Sequence, residues 1–371
     1  MTEPAPSSTG RTVALTGASG LIGSALTAAL HGRGDQVIHL VRRAPRMSGP
    51  VREVPWQPGG DLDPALLTGV DAVVHLAGAG IGDRRWDTER KRELVDSRLE
   101  GTGTIARAVA ARATAPQTGT AQDETGQVGT PRDATGQGGT PRDATGQGGT
   151  PQDATGQAGT TQGGTRQGAT GRGHALPQLL SASAVGYYGD RGDEVLTEDS
   201  SAGDGFLAQL CRDWEAATWQ AQKAGASVAH LRTGIVLAPR GGALGRLLPL
   251  LRLGLAGPLG SGRQYWSWIT LHDHVRAILF LLDRPGVTGP VNLTGPLPAT
   301  QVEVVRALGR AARRPTLLPA PSPALRLVLG EMAGEILGSQ RALPDRLSRA
   351  GFSFDHADLD TAATWVIEQP G

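Results

Sequence analysis

Near the N-terminus the run VALTGASGLIGSAL, residues 13–26, sets an apolar stretch, three glycines and a helix-forming stretch in immediate succession. Few features restrict a fold more. A strand that feeds straight into a helix needs a very tight turn, and Gly17, Gly20 and Gly23 provide for it in three different ways. Gly17 permits the turn itself, Gly20 lets the backbone come close to a pyrophosphate, and Gly23 lets the helix pack against the strand. Phosphate charge then meets the helix N-terminus, where unpaired N–H groups and the positive end of the dipole stabilise it. Isolated glycines also serve ordinary turns. The position between strand and helix is what points to a dinucleotide.

The end of the second strand bears on which dinucleotide is held. There VIHLVRRAP closes on Arg42 and Arg43, with no acidic residue at that strand end. A carboxylate in this place accepts the ribose hydroxyls of NAD, whereas an arginine pairs with the additional phosphate of NADP. NADP is therefore the expected cofactor. The alternative is that both arginines are solvated surface charges.

Hydrophobic patterning continues in an alternating rhythm. Strands are expected at 12–16, 36–41, near Val54, at 72–76, 178–182 and 227–232, with helices from Leu21 and over 87–112. This βαβ order predicts an α/β fold, a Rossmann-type doubly wound parallel sheet with helices on both faces. From Pro296 onward the pattern is mainly helical and punctuated by proline, which suggests a smaller C-terminal lobe. The resulting division is a flexible tail over 1–10, an NAD(P)-binding domain over 11–295, and a lobe over 296–371 that contributes to a substrate cleft. The domain is interrupted over 114–173 by a decapeptide repeat, seen as GTPRDATGQG twice and then GTPQDATGQA. Val128 is the only branched apolar or aromatic side chain in that stretch, so it cannot bury enough surface to offset its ordering entropy. A disordered loop is expected there.

Bulk properties remove several function classes. With 36 basic and 35 acidic side chains the net charge is +1, which leaves no electrostatic footprint for non-specific nucleic-acid or membrane-surface binding. A small-molecule substrate is expected, with no nucleic-acid or membrane partner. The first ten residues lack a basic and an apolar signal region, and no run approaches the roughly 18 apolar residues of a membrane span. The single cysteine, Cys211, can form neither an intrachain disulfide nor a cysteine-based zinc site, which fits a reducing compartment such as the cytoplasm.

Further blocks carry a resemblance. TGASGLIG, VVHLAG at Val73 and SASAVGYYG at Ser181 resemble the extended short-chain dehydrogenase/reductase superfamily. RRW at Arg84 with Ser97 and Arg98, DWEAA at Asp213, LRTGIVL at Leu231, GSGRQYWSWI at Gly260 and LGSQRALP at Leu337 are similar to the epimerase-family proteins of the SDR39U type. The resemblance implies that the cofactor is lined by Gly17, Ser19, Gly20, Leu21, Ile22, Gly23, Arg42, Arg43, Leu76, Ala77, Gly78, Glu93, Arg98 and Val236. Leu76 and Ala77 would close over the adenine or ribose, and Arg98 stands where most extended relatives carry asparagine.

The same relatives use a Tyr-x-x-x-Lys pair, in which lysine lowers the tyrosine pKa and tyrosine passes the proton. That pair is absent here. The tyrosines Tyr187, Tyr188 and Tyr265 are followed four residues on by Arg191, Gly192 and Ile269, and alignment on DWEAA puts Leu207 and Cys211 in the two places. Ser183 matches the family serine that polarises the substrate oxygen, and Tyr187 is the candidate proton donor. Cys211 reads as a buried small hydrophobe. The triplet His272, Asp273 and His274 could suggest a metal, but Asp273 opens an apolar helix and reads as its N-cap, so no metal is expected. Trp266 and Trp268 alternate around Ser267 as in a strand, which leaves one of them able to face the cleft. Together these features imply an NADP-dependent oxidoreductase or epimerase acting on a small carbonyl or hydroxyl substrate. Two rivals remain: a non-catalytic NADP(H) sensor, and a scaffold with the repeat as its interaction arm.

Overall fold

In strand β1 (Thr12–Thr16) the side chains of Val13, Ala14 and Leu15 are at most 1% exposed, so both faces of the strand need cover. A parallel sheet between two layers of helices gives that cover. β1 lies between β2 (Gln36–Val41) and β4 (Ala72–His75), with Ala14 opposite both Ile38 and Val73. β3 (Arg52–Pro55) pairs with β2, and β5 (Gln178–Ala184) pairs with β4. The strands Val228–Thr233 and Gly289–Leu293 complete seven parallel strands, in which β4 and β2 sit on opposite sides of β1. The fold is the expected doubly wound sheet. Its strand order reverses between β1 and β4, where the loops diverge and leave a crevice.

The computed structural model describes residues 10–46, 48–49, 51–114 and 176–369, so the repeat, apart from Thr114, lies outside the described residues, as does the tail up to residue 9. On one face of the sheet, α1 (Leu21–Gly32) and the helix Leu271–Leu282 bury Leu26, Leu30, Ile278 and Leu281 against Val13, Leu15 and Val74. On the other, α2 (Thr88–Ala111) buries Ile105, Ala106 and Val109 against Ala14, Ile38 and Leu179. Asp87 caps α2 by accepting the N–H of Arg90 at 2.7 Å. β5 runs two residues further than expected, which keeps Ser183 in the strand.

A further core joins the helices Gln301–Ala312 and Leu359–Glu368 to Leu237, Leu248, Trp266 and Trp268, so the chain after Pro296 shares its core with residues that precede it. Both tryptophans belong to that core, at 8% and 1% exposure, and neither faces a cleft. Alternation does not extend through them. Trp266 pairs antiparallel with Ala299, whereas Trp268 pairs parallel with Ile235. Among the described residues no helix is long and apolar enough to cross a membrane.

Asp273 differs from its expected role. Thr270 is the N-cap, accepting the Asp273 N–H at 3.1 Å, and Asp273 sits in the first turn. Its buried carboxylate accepts the backbone N–H groups of Asp355 at 3.0 Å and His356 at 2.9 Å, and Arg276 Nη1 at 2.8 Å. It thereby fastens the C-terminal segment to the helix. His272, Asp273 and Asp355 bring ligand atoms within 4.8 Å of one another. The free oxygen pairs there are already taken, since Asp355 accepts His272 Nε2 at 2.7 Å and pairs with Arg276 at 3.1 Å. Removing the clasp in Asp273→Ala leaves the N–H groups of Asp355 and His356 without their acceptor, while Arg276 keeps Asp355 and the Ser353 carbonyl. Urea unfolding is expected to show a loss of about 3 kcal/mol relative to the parent chain.

Candidate functional site

The turn after β1 lies directly on the exit of β4. Gly17 has φ 71°, and a Cβ there would stand 2.7 Å from the carbonyl carbon of Leu76 and 2.9 Å from the nitrogen of Ala77. A Cβ on Gly23 would collide with the carbonyl oxygen of Gly17, so α1 begins at the closest approach two backbones allow. Gly20 is the N-cap of α1 and supplies no side-chain cap, which leaves the N–H groups of the first turn open to a ligand. Thr16 Oγ1 accepts the N–H groups of Leu76 at 3.1 Å and Ala77 at 3.2 Å. With its lone pairs engaged, the Thr16 hydroxyl donates to His75 Nδ1 at 2.8 Å, which puts the imidazole proton on Nε2.

These elements enclose a crevice of about 600 Å³. It brings together Gly17, Ser19, Gly20, Arg42, Arg43, Leu76, Ala77 and Gly78, and it adds His39, Arg46, Glu53 and Trp56. Glu53 is the addition with most consequence. It enters from β3, opposite His39, and accepts Arg43 Nη2 at 2.6 Å, Arg43 Nη1 at 2.8 Å and the Arg46 N–H at 2.7 Å. The Arg43 guanidinium holds the Glu53 carboxyl down to about 2. Arg42 is exposed and, among the described residues, makes no hydrogen bond or ion pair. The two arginines that look equivalent in sequence are therefore unequal: one is engaged and one is free. No local signal marks Glu53, because its place depends on the pairing of β2 with β3.

The remaining expected cofactor residues lie on α1, on α2 and at Val236. Leu21 and Ile22 open α1, and a Cβ on Gly242 would lie 3.0 Å from Leu21 Cδ2 and 3.7 Å from the carbonyl oxygen of Val236. That loop sets Val236 beside the start of α1. Arg98 is buried on α2, donating to the carbonyls of Leu94 at 3.1 Å and Ala79 at 3.0 Å, with its guanidinium 4.9 Å from the Trp214 ring centre. Burial pushes it down to about 10. It lies under Gly78, where a Cβ would come within 3.5 Å of its side chain. Glu93 stands elsewhere, on the outer face of α2, accepting Arg90 at 2.7 Å and Arg84 at 2.8 Å.

Ser183, near the end of β5, is 3% exposed and donates to Glu215 Oε1 at 2.7 Å. Glu215 belongs to α3 (Phe206–Ala216) and also takes both arms of Arg232, at 2.8 and 2.9 Å. Arg232 Nη1 donates to Tyr188 at 3.0 Å, and Tyr188 donates to Asn292 Oδ1 at 2.8 Å. Burial pushes the Tyr188 phenol up to about 12. Tyr187 is half-buried, its ring centre 3.5 Å from the Arg232 guanidinium carbon. Leu207 and Cys211 lie one turn apart on α3 and both face Gly186, whose added Cβ would be 3.2 Å from Leu207 Cβ and 3.9 Å from Cys211 Sγ. Burial pushes the Cys211 thiol up to about 12, in keeping with a small hydrophobe. The neighbourhood is apolar, with Phe206, Leu207 and Leu210 packed among Trp86, Leu94 and Met332.

Beneath the crevice His75 is fully buried, and burial lowers its pKa to about 4. The unfolded chain therefore takes up a proton near pH 6.5 that the folded chain refuses until about pH 4, so this group makes stability fall as pH falls through that window. Between pH 7 and pH 5 a His75→Gln variant is expected to lose about 2 kcal/mol less unfolding free energy than the parent chain, read from urea melts at the two values.

Comparison with known proteins agrees with this geometry. Residues 13–137 match the NAD dependent epimerase/dehydratase family, and residues 320–366 match a domain family of unknown function, DUF1731. An epimerase family protein of Mycobacterium bovis is 44% identical over 361 residues, covering 97% of this chain and 98% of the relative. The Bos taurus epimerase family protein SDR39U1 is 32% identical over 362 residues, covering 96% and 99%. The crystal structure of human SDR39U1 (isoform 2) with NADPH superposes with a TM-score of 0.73 at 27% identity, covering 97% of this chain and all of that one. By sequence and by fold, the chain belongs to the SDR39U1-type epimerase family.

Proposed function

We propose that this protein is an NADP-dependent oxidoreductase or epimerase acting on a small carbonyl or hydroxyl substrate. The observation that carries the cofactor half is Arg42, a guanidinium without a partner among the described residues, at the lip of a crevice whose other side is the uncapped N-terminus of α1. The first suits the additional phosphate of NADP and the second suits its pyrophosphate. The human relative solved with NADPH supports the same reading. Gly17, Ser19, Gly20, Leu21 and Ile22 would hold the phosphates, with Leu76, Ala77 and Gly78 against the ribose and Val236 against the far end. When bound, the nicotinamide would accept or return a hydride.

Ser183 is the group proposed to meet the substrate oxygen. Its one proton is given to Glu215, so toward a ligand Oγ can accept only. It is thus poised for a substrate hydroxyl, whose proton would pass to Oγ while the serine proton moves onto Glu215. Polarising a carbonyl requires the serine proton to turn away from Glu215. Arg232 fixes both groups, by its bidentate pair with Glu215 and its stacking on Tyr187. Tyr187 remains the proposed donor from the other side. The sensor reading is favoured by a separate observation: Leu207 and Cys211, the residues that alignment gives in place of the absent pair, are a half-buried and a buried apolar group facing Gly186. A lone cysteine, itself buried, fits a reducing compartment, and we place the protein in the cytoplasm.

Titration with NADPH and NADH tests the cofactor. Arg42→Ala is expected to weaken NADPH about 10- to 100-fold and leave NADH nearly unchanged. Arg43→Ala is expected to have the smaller effect because Glu53 already engages that side chain, and Gly20→Asp abolishes both. Equal NADPH affinity in Arg42→Ala overturns the phosphate assignment. For the chemistry, Ser183→Ala with unchanged turnover would remove Ser183 from the mechanism. Stoichiometric NADPH binding with no turnover across a broad panel of carbonyl and sugar-nucleotide compounds decides for the sensor.

A further inference from the structure

At the far end of helix Gln301–Ala312, four arginines lie outside everything described so far. Arg306, Arg310, Arg313 and Arg314 are all exposed and line one surface cleft of about 600 Å³, with Thr316 and Leu317 at its edge. Arg310 is paired with Asp360. Among the described residues, the guanidinium groups of Arg306, Arg313 and Arg314 make no hydrogen bond or ion pair. Glu303, one turn before Arg306, accepts the N–H and hydroxyl of Thr300 at one oxygen, both at 2.7 Å, and the Arg306 charge contributes to holding its carboxyl below the usual range. A helix C-terminus attracts cations through its dipole, and that accounts for the Arg310 in the last turn. It does not account for four gathered on one hollow, where like charges repel.

The backbone of this corner is also unusual. Arg313 has φ 52°, and it is the one non-glycine residue with positive φ among the described residues. Glycine is the ordinary occupant of such a position at a helix end. The turn is firm. The Arg314 N–H donates to the Gly309 carbonyl at 2.8 Å, and a Cβ on Gly309 would stand 2.5 Å from Thr316 Cγ2. The arginine side chains thus start from a corner whose backbone is close-packed, which fixes where their stems begin. Leu317, 81% exposed, adds an apolar lip.

We propose that this corner is a binding site for a small molecule carrying two or more linked phosphates. The guanidinium fork matches phosphate oxygens pairwise, and several exposed arginines spread along one depression suit the extended charge of linked phosphates. The near-neutral charge of the whole chain conceals this local excess.

The test is calorimetric titration with inorganic pyrophosphate at low ionic strength, on the parent chain and on two variants. One is Arg306→Gln/Arg313→Gln, and the other is Gly20→Asp, which disables the crevice at the start of α1. The expected result is saturable one-to-one binding that survives Gly20→Asp, weakens at least tenfold in the double arginine variant, and declines with added salt. ADP in place of pyrophosphate distinguishes the source: equal affinity assigns recognition to the phosphates alone, and tighter ADP binding adds the Leu317 lip. An unchanged thermal midpoint in the double variant shows that the fold is kept. Absence of saturable binding, equal binding in the double arginine variant, or loss of binding only in Gly20→Asp overturns the proposal.

Discussion

The touching backbones of Gly17 and of Leu76 and Ala77 are the constraint on which the crevice depends. β1 and β4 are neighbours in the sheet, and their exits must part within one residue for a ligand to enter between them. A side chain at position 17 would strike the β4 exit before the loops could diverge. Thr16 completes the arrangement by holding both N–H groups of that exit with one hydroxyl, and it hands its own proton to His75 below. Buried polar groups usually have a partner; Thr16 Oγ1 and His75 Nδ1 have one in each other, whereas His75 Nε2 is buried without one.

On the other side of the sheet a polar seam runs from Ser183 through Glu215, Arg232 and Tyr188 to Asn292. It links β5, α3 and the two strands beyond, and Glu198 joins it by accepting the Asn292 N–H at 2.9 Å. Each member has one role toward its neighbour, so the serine proton is directed inward at rest. The absent Tyr-x-x-x-Lys pair is thus not replaced residue for residue. Leu207 and Cys211, which alignment gives in its place, face Gly186, and the Ser183 proton is given to Glu215.

Local constraints could be read from the chain, and distant ones could not. The glycine turn and the limits of β1 and β2 follow from requirements met within a dozen residues, so spacing alone reveals them. Glu53 needs the register of β2 against β3, and the Ser183 partner is 32 residues away on a helix whose facing is set by packing. Asp273 looks like a cap because a carboxylate before an apolar run commonly is one. Thr270 takes that place, and the acceptors of Asp273 turn to a segment more than eighty residues on. Trp266 and Trp268 keep the alternation of a strand, yet each pairs with a different partner, which no period of two can announce.

The pairing of Arg43 with Glu53 has a consequence for how cofactor preference can drift. Discrimination between the two dinucleotides is usually sought in the loop that follows β2, but here one of the three arginines of that loop is held back by a residue of β3. Loss of the Glu53 carboxylate would release a second guanidinium beside Arg42 without altering the glycine turn or either arginine. Selectivity in this chain is therefore tied to a neighbouring strand, whose carboxylate governs how many guanidinium groups the crevice can offer.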